Sequence, residues 1–115
     1  MKIEYRKNKL KKQLSSASEI KRNFGLNAKR ISSRLDDINA SPSLYVLMQI
    51  PATNCHKLSA NRDGEWALNI SVNHRMIFEI AHNPLPKNED GSLDTQSVTN
   101  ICITEIVDYH QKIRL

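Results

Sequence analysis

WALNISVNHRMIFEI, residues 66–80, is the stretch on which the fold turns. Trp66, Leu68, Ile70 and Val72 alternate with Ala67, Asn69 and Ser71. Successive side chains of an extended chain point to opposite faces, so this spacing describes a half-buried strand. Met76, Phe78 and Ile80 continue the period of two after Asn73-His74. Asparagine tolerates positive φ, so Asn73-His74 is expected as a two-residue hairpin turn. Asp63-Gly64 is the turn signal that leads into the first strand.

Toward the C-terminus, residues 83–98 (NPLPKNEDGSLDTQSV) are polar and carry two prolines and Asp90-Gly91. They are expected to form a long exposed loop. From Thr99 to Val107, alternation puts Ile101, Ile103 and Val107 on one face and Cys102, Thr104 and Ile106 on the other. Both faces are mostly apolar, which suits a central strand.

Toward the N-terminus the period changes. Ala28, Ile31, Leu35 and Ile38 form one apolar helical face, with Lys29, Arg30, Ser33, Arg34 and Asp37 opposite. Asn27 is the expected N-cap, Leu26 and Ile31 an expected hydrophobic staple across it, and Pro42 marks the end. Residues 43–50 are a short apolar run that fits either a helix or a strand. Leu10, Leu14 and Ala17 place a helical face between Lys7 and Phe24. Ser16-x-x-Glu19 has the form of a capping box, which predicts a break into two helices near Ser15-Ser16, and Gly25 stops the second. Lys2–Tyr5 alternates as a short strand. Helices first and strands afterward describe an α+β fold: N-terminal helices packed on a mainly antiparallel sheet of about four to five strands, in a single domain, 1–115.

The charge is uneven. Residues 1–34 carry eleven Lys/Arg against Glu4 and Glu19, a net of +9, whereas residues 35–115 carry a net of −4. A basic third points to a polyanionic partner, or equally to helices that are simply well solvated. No apolar run is long enough to span a bilayer, and the N-terminus lacks the apolar segment of a signal peptide. Cys55 and Cys102 are spaced for neither zinc nor redox chemistry and read as buried free thiols in a reducing compartment. The expectation is a cytoplasmic protein with no metal and no cofactor.

Four islands carry reactive side chains at strand ends and turns. They are Cys55-His56-Lys57-Leu58, Arg62-Asp63-Gly64-Glu65-Trp66, Val72-Asn73-His74-Arg75 and Asp108-Tyr109-His110. These residue types suit RNA cleavage without a metal. The 2′-OH is an internal nucleophile whose proton must be taken, the leaving 5′-oxygen must be protonated, and cations must stabilise the crowded phosphate. Histidine carries protons near neutral pH, arginine presents a planar fork to phosphate, and tyrosine can stack on a splayed base. Taken singly, His56 reads more readily as a core histidine, Trp66 as core, and His74 and His82 as a turn residue and a strand end without a role.

Together the islands resemble the HigB branch of the RelE/ParE toxins: His56-Lys57-Leu58, Arg62-x-Gly64-x-Trp66, Val72-Asn73-x-Arg75-x-x-Phe78 and a closing Asp108-Tyr109-His110. The run His56-Lys57-Leu58-Ser59-Ala60 departs from the proline and Lys-Gly that family members often carry there. The resemblance implies the toxin half of a type II toxin–antitoxin pair, with a RelE-like fold. Its activity would be ribosome-dependent: an endoribonuclease cleaving mRNA in the A site of the 30S subunit through a 2′,3′-cyclic phosphate. It implies a catalytic cluster of His56, Asp108, Tyr109 and His110. His110 would be a proton carrier, Tyr109 a base-stacking or hydrogen-bonding group, and His56 the opposing acid or phosphate ligand. The general base stays open between Asp108 and His110. Lys57, Arg62 and Arg75 would bind RNA phosphate, and Lys7, Lys9, Lys11 and Lys12 ribosomal RNA. The implied partner is a helix-turn-helix antitoxin, through which alone the toxin would meet operator DNA; no membrane is involved. Two other functions compete: a ParE-like inhibitor of DNA gyrase without catalysis, which Asp108-Tyr109-His110 argues against, and an RNA- or ribosome-binding module that has lost activity.

Overall fold

The computed structural model describes residues 1–108. Strands β1 (Lys2–Tyr5), β2 (His56–Lys57), β3 (Glu65–Asn69), β4 (His74–Ile80) and β5 (Asn100–Asp108) form one sheet. Their order is β1-β5-β4-β3-β2; β1 runs parallel to β5 and every other pair is antiparallel. Helices α1 (Asn8–Gln13), α2 (Ala17–Phe24), α3 (Ala28–Ala40) and α4 (Leu44–Met48) cover one face. The fold is α+β, as the segregation of helical and strand periods predicts.

The hairpin forms, but its turn is not at Asn73-His74. A turn there would pair Val72 with Arg75 and hence Leu68 with Glu79. Partners across a ladder share a face, so Leu68 and Phe78 would then lie on opposite sides of the sheet. Instead Trp66 pairs with Phe78 and Leu68 with Met76. This register keeps all four on one buried face, with the Trp66 and Phe78 rings stacked at 6.2 Å between centroids. Ile70 to Asn73 make the connection, closed by the Ile70 and Ser71 N–H groups donating to the His74 carbonyl. Val72 sits at its tip, 88% exposed, and not on the apolar face its spacing suggested.

A second register effect decides where the end of β5 points. Phe78 pairs with Ile103 but Ile77 with Glu105, so Thr104 is an extra residue in β5, a bulge. Its hydroxyl donates to the Ile77 carbonyl at 3.3 Å. The bulge inverts the alternation for the rest of the strand. Ile106, paired with Met76, packs on the helix-covered core, whereas Val107 joins Ala67 and Ile77 on the other face. The expected grouping of Val107 with Ile101 and Ile103 is thereby corrected.

The helical layer follows the sequence more closely. Ser16 accepts from the Glu19 N–H and separates α1 from α2, and Gly25, at φ 52, caps α2. Leu10, Leu14 and Ile20 are the buried residues here; Ala17 is exposed. Ile31, Leu35 and Ile38 bury the inner side of α3. The staple does not form: Leu26 is fully exposed. A 3-10 turn, Gly25–Asn27, runs straight into α3 and leaves Asn27 helical, at φ −88 and ψ −5. A side-chain cap needs an extended residue at that position. The run 43–50 resolves as α4, capped by Ser43. Burying side chains such as Ile31, Leu44 and Phe78, each 0% exposed, contributes about 1.5–3 kcal/mol apiece.

The segment 83–98 is more ordered than a loop of its composition suggests. It folds back on itself through a Lys87–Leu93 bridge and buries Val98 completely. His82, given no role from sequence, pins its end: Nε2 accepts from the Thr99 and Asn100 N–H groups at 3.0 and 3.2 Å.

Candidate active site

The sequence-selected residues divide between the two faces of the sheet. His56 pairs with Ala67, Ala67 with Ile77 and Ile77 with Glu105, so this row shares the face that the helices leave uncovered. Lys57 pairs with Trp66 and alternates to the opposite side. There its ammonium lies 3.9 Å from Asp63 Oδ1, at the rim of a cleft of about 350 Å³ walled by Trp66, Ile80, Leu85 and Leu93. His56 and Lys57 are neighbours in sequence but do not address the same volume.

His56 is exposed, and its Nδ1 lies 2.7 Å from the Asn54 carbonyl. A carbonyl only accepts, so Nδ1 carries the proton and Nε2 is left as the acceptor of the neutral ring. Asn54 takes a left-handed conformation (φ 42, ψ 47), which sets the direction of that carbonyl. This fixes a tautomer suited to proton exchange at Nε2.

Arg62 arrives over the same face from a 3-10 turn, Ala60–Arg62. Its Nε lies 3.1 Å from Glu65 Oε2, and its Nη2 donates to Glu65 and to Glu105. The hydrogen bond to Glu105, reinforced by the charge of both carboxylates, raises an already high guanidinium pKa. Arg62 ties its loop to β3 and β5, so a phosphate would have to displace a carboxylate to reach it. Arg75 is also engaged. Its Nη1 donates to the carbonyls of Ser71 at 2.7 Å and His74 at 2.9 Å, bracing the β3–β4 connection.

Asp108 ends β5 directly opposite His74. His74 Nε2 lies 3.6 Å from Asp108 Oδ2, and His74 Nδ1 lies 2.8 Å from the Ser71 hydroxyl. Sequence reasoning passed over both Ser71 and His74. The signal that finds them is register: once Leu68 is matched to Met76, His74 leaves the turn and enters β4. Tyr109 and His110 lie outside the described residues. His56 and Asp108 are not brought together. Three strand spacings of ~4.8 Å, about 14 Å, lie between their strands, Asp108 is three residues further along β5 than the row of His56, and the bulge sends them to opposite faces.

Lys7 and Lys9 line a smaller cleft, about 240 Å³, with Leu10, Phe24, Thr104 and Glu105. They therefore border β5 at its bulge. Lys11 and Lys12 are exposed in the last turn of α1, where cations complement the helix dipole. Burial pushes the Cys55 thiol up to about 12 and also raises that of Cys102, so neither is a thiolate nucleophile at neutral pH. Among the described residues, no group of three or more His, Cys, Asp or Glu is placed to hold a metal ion. No described helix is long and apolar enough to cross a membrane.

No protein-family model and no curated protein matches the sequence. Among solved structures the chain is similar to a YoeB/ParE toxin from Agrobacterium tumefaciens, with a TM-score of 0.52. The match covers 94% of this chain and 98% of that one, at 11% sequence identity. At that identity the likeness speaks for the fold: this chain has the architecture of a YoeB/ParE-type toxin over nearly its whole described length.

Proposed function

We propose that the protein is the toxin of a type II toxin–antitoxin pair, of the HigB branch of the RelE/ParE toxins, and that it cuts mRNA in the ribosomal A site. The observation that carries this reading is a pairing of fold and ending. A toxin-like sheet is closed by a strand whose sequence runs into Asp108-Tyr109-His110, an acid, a phenol and an imidazole in series. In the reaction, the 2′-oxygen bonds to the adjacent phosphorus and loses its proton. The bond from phosphorus to the 5′-oxygen breaks, and that oxygen takes up a proton, leaving a 2′,3′-cyclic phosphate. Asp108 or His110 is the base, His110 or His56 the acid, and Tyr109 stacks on or hydrogen-bonds the displaced nucleotide. Arg75 and Lys57 attract phosphate, and Arg62 does so by exchanging Glu65 or Glu105 for RNA. Lys7, Lys9, Lys11 and Lys12 grip ribosomal RNA through salt-sensitive phosphate contacts. A helix-turn-helix antitoxin blocks the toxin and carries it to operator DNA.

The experiment is to induce the protein in cells and map new 5′ ends of mRNA, with His110→Ala in parallel. Cuts within translated codons that vanish in the variant support the reading. No cuts, or cuts undiminished in the variant, refute it. One observation favours the ParE-like alternative: His56 and Asp108 lie on opposite faces, three strands apart. Intact mRNA with loss of DNA supercoiling would decide for that inhibitor.

A further inference from the structure

We infer that His74 is a positioning residue for Asp108, held in place by Ser71; the catalytic part of this inference rests on the proposed RNA cleavage. The Ser71 hydroxyl, the His74 ring and the Asp108 carboxylate follow one another in contact, at 2.8 Å from Oγ to Nδ1 and 3.6 Å from Nε2 to Oδ2. The backbone enforces it. His74 and Asp108 are direct partners in the β4–β5 ladder, and the His74 carbonyl holds the Ile70 and Ser71 N–H groups, which fixes Ser71 beside the ring. Arg75 locks the same turn through the Ser71 and His74 carbonyls.

The protonation pattern follows from the partners. Facing an ionised carboxylate, Nε2 is favourable as N–H and unfavourable as a bare lone pair. Nδ1 must then accept, and the Ser71 O–H donates to it. The ring presents a donor to Asp108 from across the β4–β5 ladder. It thereby orients the carboxylate at the point where β5 hands over to Tyr109-His110. The Thr104 bulge is what makes this possible, because in a regular ladder with Thr104 paired to Ile77 Asp108 would alternate to the other face. Both side chains of the pair are about three-quarters covered, at 27% and 28% relative exposure, so water weakens the contact less than at an open surface.

Two measurements test this on the purified full chain. The first needs no activity: the ring-nitrogen NMR shifts of His74 at about pH 8, where imidazole is ordinarily neutral. The proton is expected on Nε2, with the Nε2 shift moving in Asp108→Asn and the Nδ1 shift moving in Ser71→Ala. A proton on Nδ1, or shifts indifferent to Asp108→Asn, overturns the inference. The second compares RNA cleavage by His74→Leu and His74→Gln. Leucine removes the donor and is expected to lower kcat roughly 10- to 100-fold with KM little changed, the usual scale for a misplaced catalytic group. Glutamine keeps an N–H donor and is expected to recover most of that loss, which a purely structural role would not produce. Equal loss in both variants, or loss confined to KM, contradicts positioning. Wild-type protein that cuts no RNA sinks the proposed function, and the NMR result then decides alone whether His74 orients Asp108.

Discussion

The two faces of the sheet are built to different specifications. The helix-covered face buries Trp66, Leu68, Met76, Phe78, Ile101 and Ile103 against Leu10, Ile31, Leu35, Ile38, Leu44 and Leu47. Among the described residues, the buried cluster on the other face is Ala67, Ile77 and Val107, with Leu58 beside them, and the face also carries charged and polar groups: His56, Arg62, Glu65, Arg75 and Glu105. The first face supplies the stability that lets the second carry charge. The end of β5 departs from this division, since the bulge turns Asp108 toward His74 on the helix-covered side.

This contrast sets the expected order of effects. Phe78→Ala opens a cavity in the middle of the large cluster and should cost about 3–5 kcal/mol in denaturant unfolding. A cost below 1 kcal/mol would mean that the helical face is not the main core. Cys55, packed on that core, gives a pH test. Burial raises its pKa from 9.0 to about 12, so the folded state keeps the proton that the unfolded state gives up. Its contribution is undiminished below pH 9 and is lost as pH rises toward 12. Over that window the wild type should lose stability more steeply than Cys55→Ala; parallel curves would count against a buried thiol. Deleting Thr104, the extra residue, closes the bulge while keeping Glu105 opposite Ile77 and Ile106 opposite Met76, so it should cost only about 1 kcal/mol. A loss as large as that of Phe78→Ala would show that Thr104 is not the extra residue. Ser16→Ala, far from either face's centre, should cost only about 1 kcal/mol through the lost cap at α2.

The fold was legible where one physical rule acted alone. The 3-and-4 spacing of Ile31, Leu35 and Ile38 and the cap at Ser16 are local, and both appear as expected. What sequence misplaced depends on two segments meeting. Asn73-His74 has good turn chemistry, yet the joint burial of Leu68 with Met76 and Trp66 with Phe78 outweighs it and moves the turn. The bulge at Thr104 has no local signature, so the phase of Ile106, Val107 and Asp108 was hidden. Leu26 and Ile31 had the right spacing for a staple, but the 3-10 turn at Gly25–Asn27 altered the entry into α3. The candidate site follows the same pattern. His56, Arg62, Arg75 and Asp108 are candidates that residue type singles out, whereas Ser71 and His74 become visible only through strand pairing.

The most direct test of the proposed activity uses the purified protein with defined mRNA, with and without translating ribosomes, and reads the chemistry of the new 3′ ends. The account predicts cuts only when ribosomes are present, at codons in the A site, each leaving a 2′,3′-cyclic phosphate. Cleavage of free mRNA to 3′-hydroxyl ends, or no cleavage on ribosomes, would contradict it.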